Sequence, residues 1–310
     1  MNLKYSLALM CVAVLLSSCS LRNAEIKPES LAKSGIRIID QQSLFYPRKY
    51  TIPFSEISDL AYDKRLEKLY MIGDKGYFYT FSAQFTPQNM VLKYLQGYKI
   101  TEDKKLSVAY DIEGLAQNNK GDLFASFERT PRISRLSKTG YLLDNQVLPL
   151  ELSKKNNYHS ANKMFEALAW HPRYGLLTAG EYPLHKKPNT QQTIYSLKGD
   201  RWGYRTQPYK NIAITALEVM DDNHLLILER AYTEPFAPLH ITLRKLYLKQ
   251  CKGQQCKTEI LASFSGQIGA TVHNYEGLAK VGRDHYIMVS DNNNKSYLPT
   301  NIIYFKVVSR

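Results

Sequence analysis

The chain has 310 residues, with 41 Lys and Arg against 28 Asp and Glu, giving a formal net charge of +13. That length can bury a sizeable core. The basic excess has no basic run and no interleaving of aromatic and basic residues, which argues against nucleic acid and leaves a solvated basic surface as the plain reading.

In chain order, residues 1–18 read as a secretory leader. Lys4 supplies a small positive region, and "LALMCVAVLL" (residues 7–16) is an apolar run too short to span a membrane. It ends in "LSSC", small residues before Cys19, which resembles the lipobox of bacterial lipoproteins. The resemblance implies cleavage before Cys19, its lipidation, and a bacterial cell-envelope location. Ser20 rather than Asp follows, so the outer membrane, facing the periplasm, is the default. An ordinary secretory signal with a chance cysteine is the alternative. Residues 19–35 are polar and suit a flexible tether. Removing Lys4 with the leader leaves 40 basic residues against 28 acidic ones, a net of +12. Cys11 leaves with the leader and Cys19 takes lipid, so Cys251 and Cys256 in "CKGQQC" remain for a local disulfide across a hairpin. A metal pair is the alternative, but no cluster of further ligands accompanies them.

Residues 36–310 form one expected domain, and they repeat. Five short phrases begin at Ser58 ("SDLA"), Glu113 ("EGLA"), Glu166 ("EALA"), Thr215 ("TALE") and Glu276 ("EGLA"). Each leads to a second apolar run ending in an acid: Asp74, Glu128, Glu181, Glu229 and Asp291. Phrase and acid are 16, 15, 15, 14 and 15 residues apart, while the phrases recur after 55, 53, 49 and 61. Turn residues such as "NNKGD" and "MDDNH" separate the two runs, so each pair reads as a β-hairpin. A third and a fourth apolar run follow in the first four units. The 23 Tyr and 11 Phe suit half-buried strands, and sustained helical periodicity is absent. Four antiparallel strands per unit predict an all-β β-propeller. Five blades are the preferred count and six the alternative. The last unit runs out after its third strand, and "IRIIDQQSLFY" (residues 36–46) is available as its fourth, closing the ring and covering a sheet edge.

The start of strand one and the end of strand two share one end of each hairpin. A constant-sum register then puts Glu113 opposite Glu128, Glu166 opposite Glu181 and Glu276 opposite Asp291. Like charges so placed repel, so they must share protons, bind a cation or meet Arg or Lys. Long loops emerge at the same end and carry His159, Lys163, His185, Lys186, Lys187, Lys295 and Tyr297, and Arg129 and Arg230 follow two of the acids. Oxygen-rich sites suit Ca²⁺. Acids that latch neighbouring blades through backbone N–H groups or Arg are the alternative, and direct acid/base work by a carboxylate pair is a third reading. No G-x-S-x-G elbow, Walker motif or dinucleotide fingerprint occurs.

"EGLA" with "SFER" and "RISRL", then "EALAW", "LLILERAY", and "NYEGLAKV" with "IMVSDNN" resemble the phytase-like β-propeller family, also described as esterase-like activity of phytase, over roughly residues 56–308. The resemblance implies phosphoester or ester hydrolysis of a small anionic substrate, with Ca²⁺ held by Asp74, Glu113, Glu128, Glu166, Glu181, Glu229, Glu276 and Asp291. Arg129, Arg230, His159, Lys163, Lys186 and Lys187 are the candidate substrate-binding residues. The chain lacks the D-A-x-D-P-A phrase of true propeller phytases, and Ser58 and Thr215 stand where three units have Glu. A monomeric, non-catalytic lipoprotein that binds a partner through the loop face is the other function this chain allows.

Overall fold

The computed structural model describes residues 35–46, 52–102, 111–160, 163–185, 187–232, 238–266, 272–295 and 298–308. The leader, Cys19, Lys186 and Tyr297 lie outside the described residues. The described chain is nearly all antiparallel sheet, with one helical turn, α1 (Leu150–Ser153), and a short 3₁₀ turn after it.

The strands fall into four-stranded groups. The first holds β2 (Ile57–Asp63), β3 (Lys68–Gly73), β4 (Tyr77–Phe85) and β5 (Met90–Lys99). The second holds β6 (Ile112–Gln117), β7 (Leu123–Phe127), β8 (Arg132–Leu136) and β9 (Leu142–Asn145). The third holds β10 (Phe165–His171), β11 (Gly175–Gly180), β12 (Gln191–Ser196) and β13 (Arg201–Arg205). The fourth holds β14 (Ile212–Val219), β15 (Leu225–Tyr232), β16 (Leu239–Lys252) and β17 (Gln255–Gly266). The last combines β18 (Asn274–Gly282), β19 (His285–Asp291) and β20 (Thr300–Val307) with β1 (Ile36–Leu44), which pairs antiparallel with β20. Hydrogen bonding between β13 and β17 at Gly203 and Gln255 joins the third and fourth groups into one eight-stranded sheet. There the Gly203 N–H donates to the Gln254 carbonyl at 2.6 Å. The Cys251–Cys256 disulfide closes the same β16–β17 turn.

The first strand of each group contacts the first strand of the next, and β18 contacts β2. Strands near this axis are covered on both faces, so they read as continuous apolar runs: every residue of "LFASF" in β7 and "GLLTAG" in β11 is buried. The outer strand β5, "MVLKYLQGYK", alternates toward water instead. The core is a set of apolar layers between neighbouring groups. Ile72 and Phe78 meet Leu115 and Phe127 in one, and Leu177 and Tyr204 meet Ile227 and Leu246 in another.

Each first strand carries a β-bulge, and its extra residue is the first residue of the repeated phrase: Ser58, Glu113, Glu166, Thr215 and Glu276. The expected opposition of acids is therefore corrected. Ile112 faces Phe127, Phe165 faces Gly180 and Tyr275 faces Ser290, so Glu113, Glu166 and Glu276 face no residue across the ladder. A bulge puts two residues against one and turns a side chain out of the alternation. The glycine after two of the bulged acids has a packing reason. A Cβ on Gly114 would lie 2.8 Å from the Leu168 Cβ of the next group, and one on Gly277 would lie 2.8 Å from the Asp59 Cα.

Candidate functional site

The bulges bring the bulged residues and the ends of the second strands to one place. Ser58, Glu113, Glu166 and Glu276 from the bulges, and Asp74, Glu128, Glu181, Arg230 and Asp291 from the strand ends, line a cavity of about 220 Å³. The remaining bulged residue, Thr215, is fully buried and donates to backbone carbonyls at Tyr275 and Leu228, 3.3 and 3.4 Å away.

Seven of the eight sequence-predicted acids thus converge, and Glu229 does not. It lies opposite Ile214, the position that Gly73, Phe127, Gly180 and Ser290 hold in the other groups. Its Oε2 accepts from the Arg244 Nε at 3.0 Å, and its Oε1 from the Tyr204 hydroxyl at 2.9 Å. Burial raises its carboxyl, while Arg244 and Tyr204 pull it back. Glu229 therefore joins β13, β15 and β16 away from the cavity. The cavity position of this group falls to the next residue, Arg230. The offset of 15 that holds in the second, third and last units leads from Thr215 to Arg230 rather than Glu229, and that is the signal the sequence held.

Arg230 is the one cationic side chain lining the cavity among the described residues. It donates to Glu276 Oε1, to Asn274 Oδ1 at 2.9 Å and to Glu181 Oε1 at 3.2 Å. Burial opposes its charge, but Glu276, Glu181 and Glu166 together hold it firmly protonated. The other acids have less compensation. Burial, then the neighbouring Glu276 and Asp74, pushes the Glu113 carboxyl well up. Burial with Glu113 and Glu181 does the same to Glu166, which is 7% exposed. Burial and Asp111 raise Asp74 to about 7, burial and Asp111 raise Glu128 to about 8, and burial and Glu276 raise Asp291 to about 8. Burial raises Glu276 too, against the pull of Arg230.

Two sets of carboxylates draw closest. Oxygens of Asp74, Asp111 and Glu113 lie within 4.8 Å of one another, as do those of Glu128, Glu166 and Glu181. Asp111 is an acid that sequence reasoning passed over, although it opens the "DIEGLA" stretch. The Glu128 N–H donates to its carbonyl at 2.9 Å, which sets Asp111 level with Glu128. Ca²⁺ takes oxygen ligands at about 2.3–2.6 Å. Two oxygens on one such ion stand at most about 5 Å apart by those bond lengths, so each set has the spacing and the donor chemistry for a hard cation.

Above the cavity lies a wider space of about 650 Å³, which shares Glu181 and Arg230 with it and adds Lys163, Tyr182, Asn274, Asn293 and Lys295. The Lys163 Nζ sits 3.6 Å from Glu181 Oε2 and 4.0 Å from the centre of the Tyr182 ring. Of the other candidate substrate-binding residues, Arg129 borders the Asp74, Asp111 and Glu113 set, and the rest of those described stand elsewhere. Arg129 is exposed and pairs with Asp111. His159 is exposed and packs on His185, with ring centres 4.5 Å apart. Lys187 donates to Thr193 Oγ1 at 2.8 Å and lies over Tyr195, on the outer part of the third group. Lys186 is outside the described residues.

A second missed acid is Asp59, which stands where the other phrases have Gly or Ala. It is 1% exposed, and three backbone N–H groups from three strands donate to it: Leu60 at 2.8 Å, Leu115 at 2.7 Å and Leu278 at 3.1 Å. Burial raises its carboxyl against the pull of those donors. It ties β2, β6 and β18 together on the axis.

Among solved structures, the chain is similar to virginiamycin B lyase from Staphylococcus aureus, at 10% identity and a TM-score of 0.40, covering 88% of this chain and 100% of that one. It is also similar to a luciferin-regenerating enzyme, at 13% identity and a TM-score of 0.42, covering 82% and 92%. A third similarity is to the WD40 repeats of RRP9, at 8% identity and a TM-score of 0.41, covering 87% and 97%. None of these likenesses carries an argument about activity. No curated protein matches the chain. A family model does: residues 52–294, well over half of the chain, match the Phytase-like model described as "Esterase-like activity of phytase". The chain is thus a β-propeller protein that belongs to this phytase-like family.

Proposed function

We propose that this propeller is a phosphoester or ester hydrolase that holds Ca²⁺ in the acid-lined cavity and takes a small anionic substrate at its mouth. The observation that carries the reading is the cavity itself: seven carboxylates against one arginine in about 220 Å³. Seven like charges so close cannot all ionise without a counter-ion, which is why burial and mutual repulsion leave Asp74, Glu128 and Asp291 holding protons near neutrality. A bound Ca²⁺ would neutralise the carboxylates and polarise a substrate oxygen or a water. Asp74, Asp111 and Glu113, or Glu128, Glu166 and Glu181, are the residues that would hold it. Lys163, Arg230 and Lys295 supply positive charge for an anionic substrate in the wider space above.

We read the four-stranded groups as five blades, with β1 completing the last. The cyclic contacts of the first strands and the β1–β20 pairing support that reading. We also propose that the protein is a monomer anchored through Cys19 to the bacterial envelope, at the outer membrane facing the periplasm.

Hydrolysis of p-nitrophenyl phosphate and p-nitrophenyl acetate by the purified chain, with Ca²⁺ and with chelator, tests the catalytic reading. Turnover that disappears with chelator and with Glu166→Gln is expected. If neither ester is hydrolysed while Ca²⁺ still binds, the catalytic reading is wrong and a non-catalytic binding scaffold takes its place.

A further inference from the structure

Glu181 and Arg230 are the two residues that line both the acid cavity and the wider space above it. The Glu181 carboxylate is claimed from both sides. In the cavity, one of its oxygens lies within 4.8 Å of oxygens of Glu128 and Glu166. Toward the wider space, its Oε1 accepts from Arg230 Nη2 at 3.2 Å, and its Oε2 lies 3.6 Å from Lys163 Nζ. Its main chain is fixed. The N–H donates to the Met164 carbonyl at 3.1 Å, and the carbonyl accepts from the Ile214 N–H at 3.1 Å and from Gln192 Nε2 at 3.0 Å. A change of partner by Glu181 is therefore a side-chain rotation.

Arg230 is held at its other nitrogen. Its Nη1 donates to Glu276 Oε1 and to Asn274 Oδ1, the latter at 2.9 Å, while Asn274 Nδ2 donates to the same Glu276 oxygen at 2.8 Å. If Glu181 turned away, Nη2 would lose that acceptor while Nη1 kept the guanidinium in place. Lys163 would lose a carboxylate but stay over the Tyr182 ring, 4.0 Å from its centre. Lys295 is exposed and lines the same space.

We propose that Glu181 masks a phosphate site formed by Arg230, Lys163 and Lys295, and that the site is unmasked when Glu181 joins Glu128 and Glu166 on a cation. A guanidinium edge beside ammonium groups suits the charged oxygens of a phosphate monoester better than a neutral ester. One carboxylate shared between a cation and two basic side chains couples the two sites. Cation and phosphate then each raise the affinity of the other by the same factor. The trigger rests on the cation site proposed above, whereas the masking does not.

The test is calorimetric titration with phenylphosphonate, a monoester mimic that is not hydrolysed, in cation-free buffer and in saturating Ca²⁺. The wild-type chain should bind it about tenfold or more tightly with Ca²⁺ than without. Glu181→Gln should bind it about tenfold more tightly than wild type in cation-free buffer, and gain little from Ca²⁺. Adding Lys163→Met to Glu181→Gln should remove most of that gain. Glu128→Gln alters the same acid set but leaves the Glu181 pairs intact, and should stay within about threefold of wild type in cation-free buffer. Thermal melts establish that the variants fold. The proposal is overturned if Glu181→Gln binds no more tightly than wild type without cation, if Glu128→Gln gains as much, or if the gain survives Lys163→Met. Absence of Ca²⁺ binding by wild type, with the Glu181→Gln gain intact, would fault the cation site and leave the masked phosphate site standing.

Discussion

Asp59→Ala isolates what holds the axis together. The substitution removes the acceptor of three backbone N–H groups, at Leu60, Leu115 and Leu278, from a site only 1% exposed. Leaving one buried donor unsatisfied costs about 1–3 kcal/mol, so three donors, with some backbone relaxation, amount to roughly 3–6 kcal/mol. That is a large part of the ~5–15 kcal/mol by which domains are usually stable. Asp59→Asn keeps one carbonyl oxygen, and its loss should be smaller. Guanidinium unfolding followed by tryptophan fluorescence reads both variants, with stability taken from the midpoint and slope. Losses below about 1 kcal/mol for Asp59→Ala would refute the reasoning, since an unsatisfied buried donor alone should exceed that.

The other expectations follow from the same geometry. Gly277→Ala places a methyl 2.7 Å from Val289 Cγ1 and 2.8 Å from the Asp59 Cα, and should lower stability by about 1–3 kcal/mol in the same unfolding assay. Arg244→Met strips Glu229 of its cation in a buried setting and should cost about 3–5 kcal/mol, with no change in Ca²⁺ affinity by calorimetry. Glu113→Gln should behave oppositely, leaving Tm unchanged or higher in chelator and lower in Ca²⁺, because it replaces a carboxyl whose ionisation burial and its neighbours oppose. Stability in chelator should fall as pH rises from about 4, where unfolded carboxyls titrate, through 7 to 8, where Asp74, Glu128 and Asp291 do. The folded chain holds more protons than the unfolded one across that window, so raising the pH favours unfolding. Tm measured at pH 5 and pH 8 checks the sign, and a higher Tm at pH 8 in chelator would contradict it.

The repeat was legible because it is a packing pattern. Phrase, turn and second run recur at nearly constant spacing, and each apolar run is a strand buried on both faces. The pairing of "IRIIDQQSL" with the last strand was legible for a related reason, since the last group otherwise exposes an edge. The register of the acids was not. A hairpin sum rule assumes one residue against one, and the bulges at Glu113, Glu166 and Glu276 break that assumption. Nothing in "EGLA" read alone announces the bulge, but its Gly reports the close approach of the next strand. The confusion of Glu229 with a cavity residue came from following residue type. Keeping the offset of 15 leads to Arg230, whose opposite charge is what makes the fourth group different. Asp59 adjoins Ser58 and Asp111 stands two residues before Glu113, and the repeat makes Ser58 and Glu113 the conspicuous positions.

The central claim is that the cavity acids are a cation site. Titration calorimetry with Ca²⁺ at pH 7, run in two buffers of different ionisation enthalpy, tests it most directly. Saturable binding is expected, accompanied by proton release because Asp74, Glu128 and Asp291 hold protons near that pH. Affinity should rise toward pH 8, and the double variant Glu113→Gln, Glu166→Gln should abolish the signal. Absence of Ca²⁺ binding by the wild-type chain, or binding that survives the double variant and takes up no change in protons, would contradict the account.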